Sequence, residues 1–563
     1  MYFPYMLQRI FQRRRERDTY GEDPTQEAVH SIRRDQLRQI RLYHEKMGEG
    51  AVDEVTWEDL EMDDVFYRIN HTASYVGEQV LYHRLHMTEK EDWRRLEEKV
   101  SYFDGNKQER RALEKKLRRI GKRQNSYYMA DLLSCFGTYP LASMVLFRLL
   151  QILLVLSLIL GIGYSGKVGF VPVCVIVSIN LTIFIHEKQK AQSMVICLEE
   201  VCALLETCKY IRKNLPVHWQ REGFEQEISS LGKLYRLSGR FLAKKLAAGF
   251  DDKGVIMEYL LGITLWDLTT YNRIAGLLQD KEEVILRLFC DVGELDMAIS
   301  IGSFRRSLDL YCCPEFISDA VTISDRDHRS SDGKSAPGLA GGDLKQGRQI
   351  WMEEVYHPLV KEAVRNTVTL PDLSIMMGAN ASGKSTFMKA VAINLILGQT
   401  IHTCTAGYFS CPRMQVMTSM AVRDDVKAKE SYYVREVRYL KRMLDLVEKG
   451  VPVFCAIDEI LKGTNKRERL AASEAVLQYL SGKNCIVLVA THDLEIINRM
   501  QRQYACYHFL CQMTDRGIEF EYKIHKGMGG DTNAVALLEY YDFPGKVIAA
   551  AKERLKELDS EDQ

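Results

Sequence analysis

The chain has 563 residues, 46% hydrophobic and 27% charged, which is a globular composition with room for about two to four domains and excludes wholesale disorder. Lys plus Arg and Asp plus Glu both number 76, so the net charge is zero, which excludes a protein that coats polyanions over its whole surface but allows local basic faces. The 14 cysteines lack C-x-x-C pairs, and the groupings Cys312-Cys313, Cys404/Cys411 and Cys506/Cys511 lack zinc-ligand spacing; they read as reduced, mostly buried thiols of a cytosolic compartment.

Met1-Tyr2-Phe3-Pro4 leads into a basic run with no apolar core and no cleavage site, so no secretory signal is expected. Residues 1–54 read as a charged helical segment. Its cluster Arg13-Arg14-Arg15 and Arg17, behind Ile10 and Phe11, is either a solvated helix face or a contact for anionic lipid. From Val55 apolar residues recur at helical spacing: Trp57, Leu60, Met62, Val65, Phe66, Ile69, then Val76, Val80, Leu81, Leu85. Residues 90–125 read as one charged helix ending in Lys115, Lys116, Arg118, Arg119, Lys122 and Arg123. Together 55–135 form the first part of a helical region.

The composition then changes. Leu149 to Gly163 is apolar except Gln151 and Ser157, and Val168 to Ile185 is apolar except Ser178, Asn180 and Thr182. Each run approaches the roughly 20 residues that cross a bilayer, the first if it begins near Ala142 and tolerates Arg148. At about −0.3 to −0.6 kcal/mol each, a dozen Leu, Ile, Val and Phe outweigh one Arg at about +2.5 kcal/mol. Residues 136–190 are therefore expected to form a transmembrane hairpin, the membrane being met through residues 142–185; the alternative is a helical hairpin inside a soluble core. Lys122, Arg123, Lys188 and Lys190 flank it while only Lys167 sits in its loop, which puts both termini in the cytoplasm. The expected location is the cytoplasmic face of the membrane, as a two-span integral protein, or the cytoplasm if the hairpin is buried.

Residues 191–324 return to helical spacing, and 325–347 are polar and Gly-rich, a flexible linker. Residues 348–563 read as α/β. There Gly378-Ala379-Asn380-Ala381-Ser382-Gly383-Lys384-Ser385-Thr386 fits G-x-x-x-x-G-K-[ST], a nucleoside-triphosphate loop between a strand (Thr367 to Met377) and a helix (Thr386 to Leu397). Its glycines let consecutive N–H groups converge on phosphate oxygens, Lys384 adds a charge for the β- and γ-phosphates, and Ser385 offers a hydroxyl to Mg2+. Ser431 caps a long helix. A strand over Val451 to Ile457 delivers Asp458-Glu459, with Asp458 suited to hold Mg2+ and Glu459 to orient or deprotonate the attacking water. Cys485 to Ala490 is another strand, ending in Thr491-His492-Asp493, where His492 is placed to sense the γ-phosphate.

Met377 to Thr386, the Ser431 segment, Ala456 to Thr464 and Val489 to His492 resemble, in order and spacing, the ATPase domain of the MutS family of DNA mismatch-repair proteins. Tyr356-His357-Pro358-Leu359 resembles that domain's lead-in, and Gly527-Met528-Gly529, Ala534-Val535-Ala536 and Pro544 to Glu557 its C-terminal helices. Ile69-Asn70-His71-Thr72 with Gly77, and Glu294-Leu295-Asp296, resemble the two ends of the family's helical lever. The resemblance implies an α+β multidomain protein: an all-α lever-like domain, here with a membrane hairpin, followed by an α/β P-loop ABC-type ATPase domain. It implies ATP and Mg2+ as cofactors and a homodimer in which Ser431 reaches the partner's γ-phosphate and Asn380 lies beside the phosphates. The chain departs from the family in four ways. Only about 55 residues precede the lever-like region, without the Phe-x-Glu wedge of the mismatch reader; no clamp insertion is evident; a hairpin interrupts the lever; and Val364 stands roughly where the family carries its adenine-stacking aromatic. The expected function is a membrane-tethered ATPase that switches conformation and acts on DNA, by family analogy, without reading mismatches. Alternatives are an ATP-driven switch acting on a protein partner, which the sequence does not identify, and a binder that holds ATP without turnover.

Overall fold

The computed structural model describes residues 18–24, 30–48, 50–88, 93–135, 144–163, 170–247, 262–279, 281–317, 348–379, 381–420, 432–514, 517–529, 538–539, 541 and 543–561. The fold is mixed α+β and divides into two compact units. Residues 1–49, 69–83 and 92–304 make the first; 50–68, 84–91 and 305–563 make the second. Residues 55–68 and 84–91, which the sequence suggests are part of the first helical region, thus group with the ATPase-like region, as do 50–54 from the end of the N-terminal segment. The principal helices are α1 (Glu54–Asp59), α2 (Tyr75–His86), α3 (Lys107–Ile120), α4 (Met144–Gly163), α5 (Val171–Asn214), α6 (Trp266–Gln279), α7 (Glu282–Arg306), α8 (Lys384–Ile401), α9 (Tyr432–Glu448), α10 (Lys466–Leu480) and α11 (Leu494–Met500).

The first unit is helical. The charged stretch expected as one helix is two, Trp93–Gly105 and α3: Asn106 stands at the N-cap of α3, and Gly121, at φ 67°, ends it. The start of α2 is tied to α7. Buried Asp296 accepts from the backbone N–H of Ala73 and Ser74, each at 2.9 Å, and from Ser74 Oγ at 2.5 Å. Ser300 Oγ accepts from His71 N and donates to Ile69 O. A side chain at Gly77 would collide with the Asp296 carboxylate. The two stretches that resemble lever ends therefore meet in space.

The helices α4, α5 and α6 pack on one another. Gln151 Nε2 donates to Thr264 O at 2.8 Å and Asn180 Nδ2 to Ile263 O at 2.7 Å, so these two polar side chains turn toward the segment before α6, while Ser178 and Thr182 stay exposed. The sequence predicts two runs of near-bilayer length. Among the described residues one helix, Met144–Ile162, is long and apolar enough to cross a membrane (mean hydropathy 2.5). The apolar part of the second, Val171–Glu187, is shorter and continues without a break into the polar half of the 44-residue α5.

The second unit holds two sheets. Their strands are β1 (Glu315–Ile317), β2 (Gln349–Val355), β3 (Asn366–Pro371), β4 (Leu373–Met377), β5 (Tyr408–Pro412), β6 (Gln415–Ser419), β7 (Val453–Asp458), β8 (Cys485–Ala490), β9 (Ala505–Thr514) and β10 (Gly517–Lys526). A four-stranded sheet has the order β1-β5-β2-β3, and a six-stranded one the order β10-β9-β4-β8-β7-β6, parallel except for β10. The strand expected over Thr367 to Met377 is split between the two sheets at Pro371-Asp372, since proline has no N–H to continue a ladder. Along β7 and β8, Cys455, Ile457, Val487 and Val489 pack with α9, α10 and α11 in one apolar core. The alternate residues Phe454, Ala456, Ile486 and Leu488 are buried too, toward the opposite face, against which the almost wholly buried α8 packs. The outer strand β6 is covered by α1. Asp59 accepts from Thr418 Oγ1 at 2.7 Å and Met420 N at 3.0 Å, and Asp53 holds the Arg442 guanidinium at 2.6 and 2.7 Å.

Candidate nucleotide-binding site

The turn from β4 into α8 is Gly378–Gly383. Gly378 sits at φ 151° and Gly383 at 102°. A Cβ would come within 2.8 Å of Ser382 Oγ at the first and 3.0 Å of the Tyr522 ring at the second, so both places demand glycine. Lys384 folds back over the loop and donates to the carbonyls of Gly378 (2.7 Å) and Ala379 (2.9 Å). Burial pulls this ammonium below the usual lysine value, with the carboxylates of Asp458 and Glu459 opposing that shift. Ser382 Oγ is buried and has no hydrogen-bond partner among the described residues.

Sheet register brings the other groups level with the loop. Met376 and Asp458 both pair with Ala490, so β4, β7 and β8 end together at the carboxyl edge of the parallel strands, where open α/β sheets bind ligands. Ser385 Oγ donates to Asp458 Oδ2 at 2.6 Å. Glu459, in the left-handed region at φ 57°, turns its carboxylate between two side chains: Lys462 Nζ lies 2.9 Å from Oε2 and His492 Nδ1 2.9 Å from Oε1. Burial works to raise the Glu459 pKa, but the hydrogen bonds from Lys462 and His492 outweigh it and hold the group below the ordinary glutamate value.

Gly378, Ala379, Ala381, Ser382, Gly383, Lys384, Ser385, Asp458, Glu459 and His492 thus meet at one sheet edge, and Thr386 is exposed on the first turn of α8. Asn380 and Ser431 lie outside the described residues; α9 begins at Tyr432, directly after the position read as its cap. Three further residues complete the site. Glu436 of α9 is buried and accepts from the N–H of Lys462 and of Gly463, each at 3.1 Å, fixing the turn behind the acidic pair. Tyr522, at φ 54° in a bulge of β10, lays its ring against Gly383 while staying 45% exposed. Asn366 holds that bulge, donating to Tyr522 O at 3.1 Å and accepting from Ile524 N at 2.9 Å. The local sequence gives no sign of Glu436, which occupies a polar position of an amphipathic helix, or of Tyr522, which occupies an alternating strand.

The arrangement fits a magnesium nucleotide. The glycine turn, Lys384 and the unpartnered Ser382 hydroxyl form a cradle for phosphate oxygens, and the Ser385–Asp458 pair offers the oxygen ligands Mg2+ prefers. A carboxylate kept ionised by its neighbours is suited to accept a proton from water.

Residues 374–559 match MutS domain V, the ATPase domain of that family. The chain is 30% identical over 224 residues to the DNA mismatch repair protein MutS of Natronomonas pharaonis, covering 38% of this chain and 26% of that protein. It is 25% identical over 230 residues to MutS of Aquifex pyrophilus (39% and 27%) and 24% identical over 291 residues to DNA mismatch repair protein MutS 2 of Haloarcula marismortui (50% and 30%). The alignments span 26 to 30% of the length of these relatives. The chain is thus similar at low identity to the MutS proteins, through their ATPase domain over residues 374–559.

Proposed function

We propose that this chain is a MutS-type ATPase of the ABC class, tethered to a membrane through residues 142–185, working as a homodimer and acting on DNA without reading mismatches. The observation that carries the ATPase reading is the pairing of Ser385 with Asp458 and of Glu459 with His492 at the edge where the glycine loop opens. In this reading Lys384 exchanges its two carbonyl partners for the β- and γ-phosphates of ATP, and Ser385 and Asp458 hold Mg2+. The ion, when bound, neutralises charge on those phosphates. Glu459 takes the proton of the attacking water, and His492 orients Glu459 and faces the γ-phosphate. Tyr522 offers its exposed face to the base. Ser431 completes the site of the partner subunit, so two sites form only in a dimer.

DNA as the partner is supported by the relatives, which are named DNA mismatch repair proteins. Membrane tethering is supported by the apolar residues that α4 leaves exposed. The test is ATP turnover by the full chain in detergent, with and without branched DNA, beside Glu459→Gln. The expected result is DNA-stimulated turnover that the substitution lowers about 10²- to 10⁴-fold with nucleotide binding retained. Equal turnover by Glu459→Gln would sink the catalytic assignment, and turnover indifferent to every DNA structure would sink the DNA assignment.

A further inference from the structure

The solvent face of α3 carries charge of one sign. At about 100° per residue, Lys107, Arg111, Lys115, Arg118 and Arg119 fall within an arc of about 120°. All five are exposed, and the one other position inside that arc, Gln108, is neutral. The opposite side, Leu113, Leu117 and Ile120 with the Arg110 stem, is buried. Of the helix's carboxylates, Glu109 lies off the arc and bonds the Tyr102 hydroxyl, while Glu114 borders it about 20° beyond Lys107, 3.6 Å from Arg110 and 3.7 Å from Arg118. From outside the helix, Asp18 is shared between Lys107 (2.9 Å) and Arg111 (3.1 Å), and Glu206 approaches Arg119 at 3.8 Å with both side chains exposed, a geometry worth little in water. Lys115 has no partner among the described residues. In a chain of zero net charge, five cations on one helix face are a local concentration rather than a general basicity.

Lipid headgroups and nucleic acid both offer phosphates, and the position of α3 along α5 decides between them. Lys116 stands over the Tyr210 ring, and Arg123, just past the end of α3, reaches Glu199 and Glu200. These α5 positions lie 12 to 23 residues beyond Glu187, where its apolar part ends. That is roughly 18 to 35 Å along the axis, and the rest of α3 runs on from there. The Debye length in physiological salt is about 8 Å, so headgroups around the apolar part of α5 do not reach the stripe. Lys107 to Arg119 spans about 18 Å, and a DNA strand presents a phosphate every 3.4 Å of axis or so.

We propose that the exposed face of α3, built on Lys107, Arg111, Lys115, Arg118 and Arg119, is a docking surface for the phosphate backbone of nucleic acid. This rests on DNA being the partner and adds where it is held, on the helical unit. Backbone docking of this kind is sequence-independent and salt-sensitive.

The test uses the full chain in detergent with a fluorescent duplex and a branched DNA, titrated with salt. Lys115→Glu with Arg119→Glu is the variant; neither residue belongs to the nucleotide site, so basal ATP turnover should be unchanged. The expected result is that the variant's slope of log affinity against log salt is shallower by about two and its affinity at least about tenfold weaker near 100 mM salt. Acetylation footprinting should show Lys107 and Lys115 protected by added duplex. Binding by the original chain with the same slope in the variant would overturn the α3 surface while leaving DNA as partner. No binding to either DNA at low salt would overturn both. Protection of the two lysines by phosphatidylserine liposomes in the absence of DNA, and not by DNA, would overturn it in favour of a lipid contact.

Discussion

Glu459 can serve as the proposed base only while it is ionised, and its surroundings pull in opposite directions. Burial pushes its pKa up; the hydrogen bonds from Lys462 and His492 bring it below the ordinary value. A depressed carboxyl stays ionised at neutral pH and protonates only as pH falls through the lowered value. Its contribution to stability has the same sign, present above the unfolded pKa and lost as pH falls through the folded one. The ATPase rate should therefore show no inflection from Glu459 between about pH 5 and 8. Lys462→Met leaves burial less opposed, so the acid limb of the rate profile should move up toward neutrality while the rate on the alkaline side changes little. A profile that keeps its acid limb in place would mean that Lys462 does not hold the carboxylate down.

At the scale of elements, the site is made by strand ends, which is why most of it could be read from the sequence. The loop from Gly378 to Thr386, Asp458-Glu459 and His492 each follow an apolar run, and parallel pairing sets the runs level. The rest comes from pairings that no local pattern announces. Asn366 and Tyr522 are 156 residues apart, and the bulge between Phe520 and Ile524 interrupts what reads as continuous alternation. Asp59 on α1 reaches the end of β6 across 361 positions, which is how a segment that reads as part of a lever belongs with the ATPase-like unit. The bulge gives a prediction of its own. Tyr522→Ala should raise the KM for ATP about tenfold with kcat nearly kept, since base stacking on an aromatic ring contributes about 1–3 kcal/mol. Asn366→Ala should act in the same direction through the freed bulge, and Asn366→Asp, which keeps the acceptor for Ile524 N, should recover part of the loss. A fall in kcat at unchanged KM for Tyr522→Ala would remove the ring from the nucleotide pocket.

For the whole molecule, the largest question is what covers α4. Eleven of its large apolar side chains, from Val145 to Ile162, are exposed, with Ile162 at 85%, and Phe170, Val171, Val175, Ile179 and Ile185 extend the patch onto α5. Soluble surfaces rarely carry a contiguous apolar patch beyond a few hundred Å2. Three polar side chains of these helices are bonded to backbone, as hydrocarbon would require: Ser157 bonds Leu154 O, and Gln151 and Asn180 donate to backbone carbonyls near the start of α6. Inserted Leu, Ile and Val gain about 0.3 to 0.6 kcal/mol each at a helix centre, so α4 can carry Arg148 near its end. The shorter apolar part of α5 ends at Glu187 and is followed by Lys188 and Lys190, which suits a second crossing that finishes on the basic, cytoplasmic side. The chain should therefore stay in the membrane pellet after carbonate extraction, and a protease-cleavable tag inserted at Gly166 should be cut only from the non-cytoplasmic side. Leu153→Lys with Leu156→Lys, which puts two charges at mid-helix at a cost of about 5 kcal/mol, should release the chain from the pellet. A chain that runs as a soluble, monodisperse species without detergent, with α4 intact, would instead mean that another protein surface covers the patch.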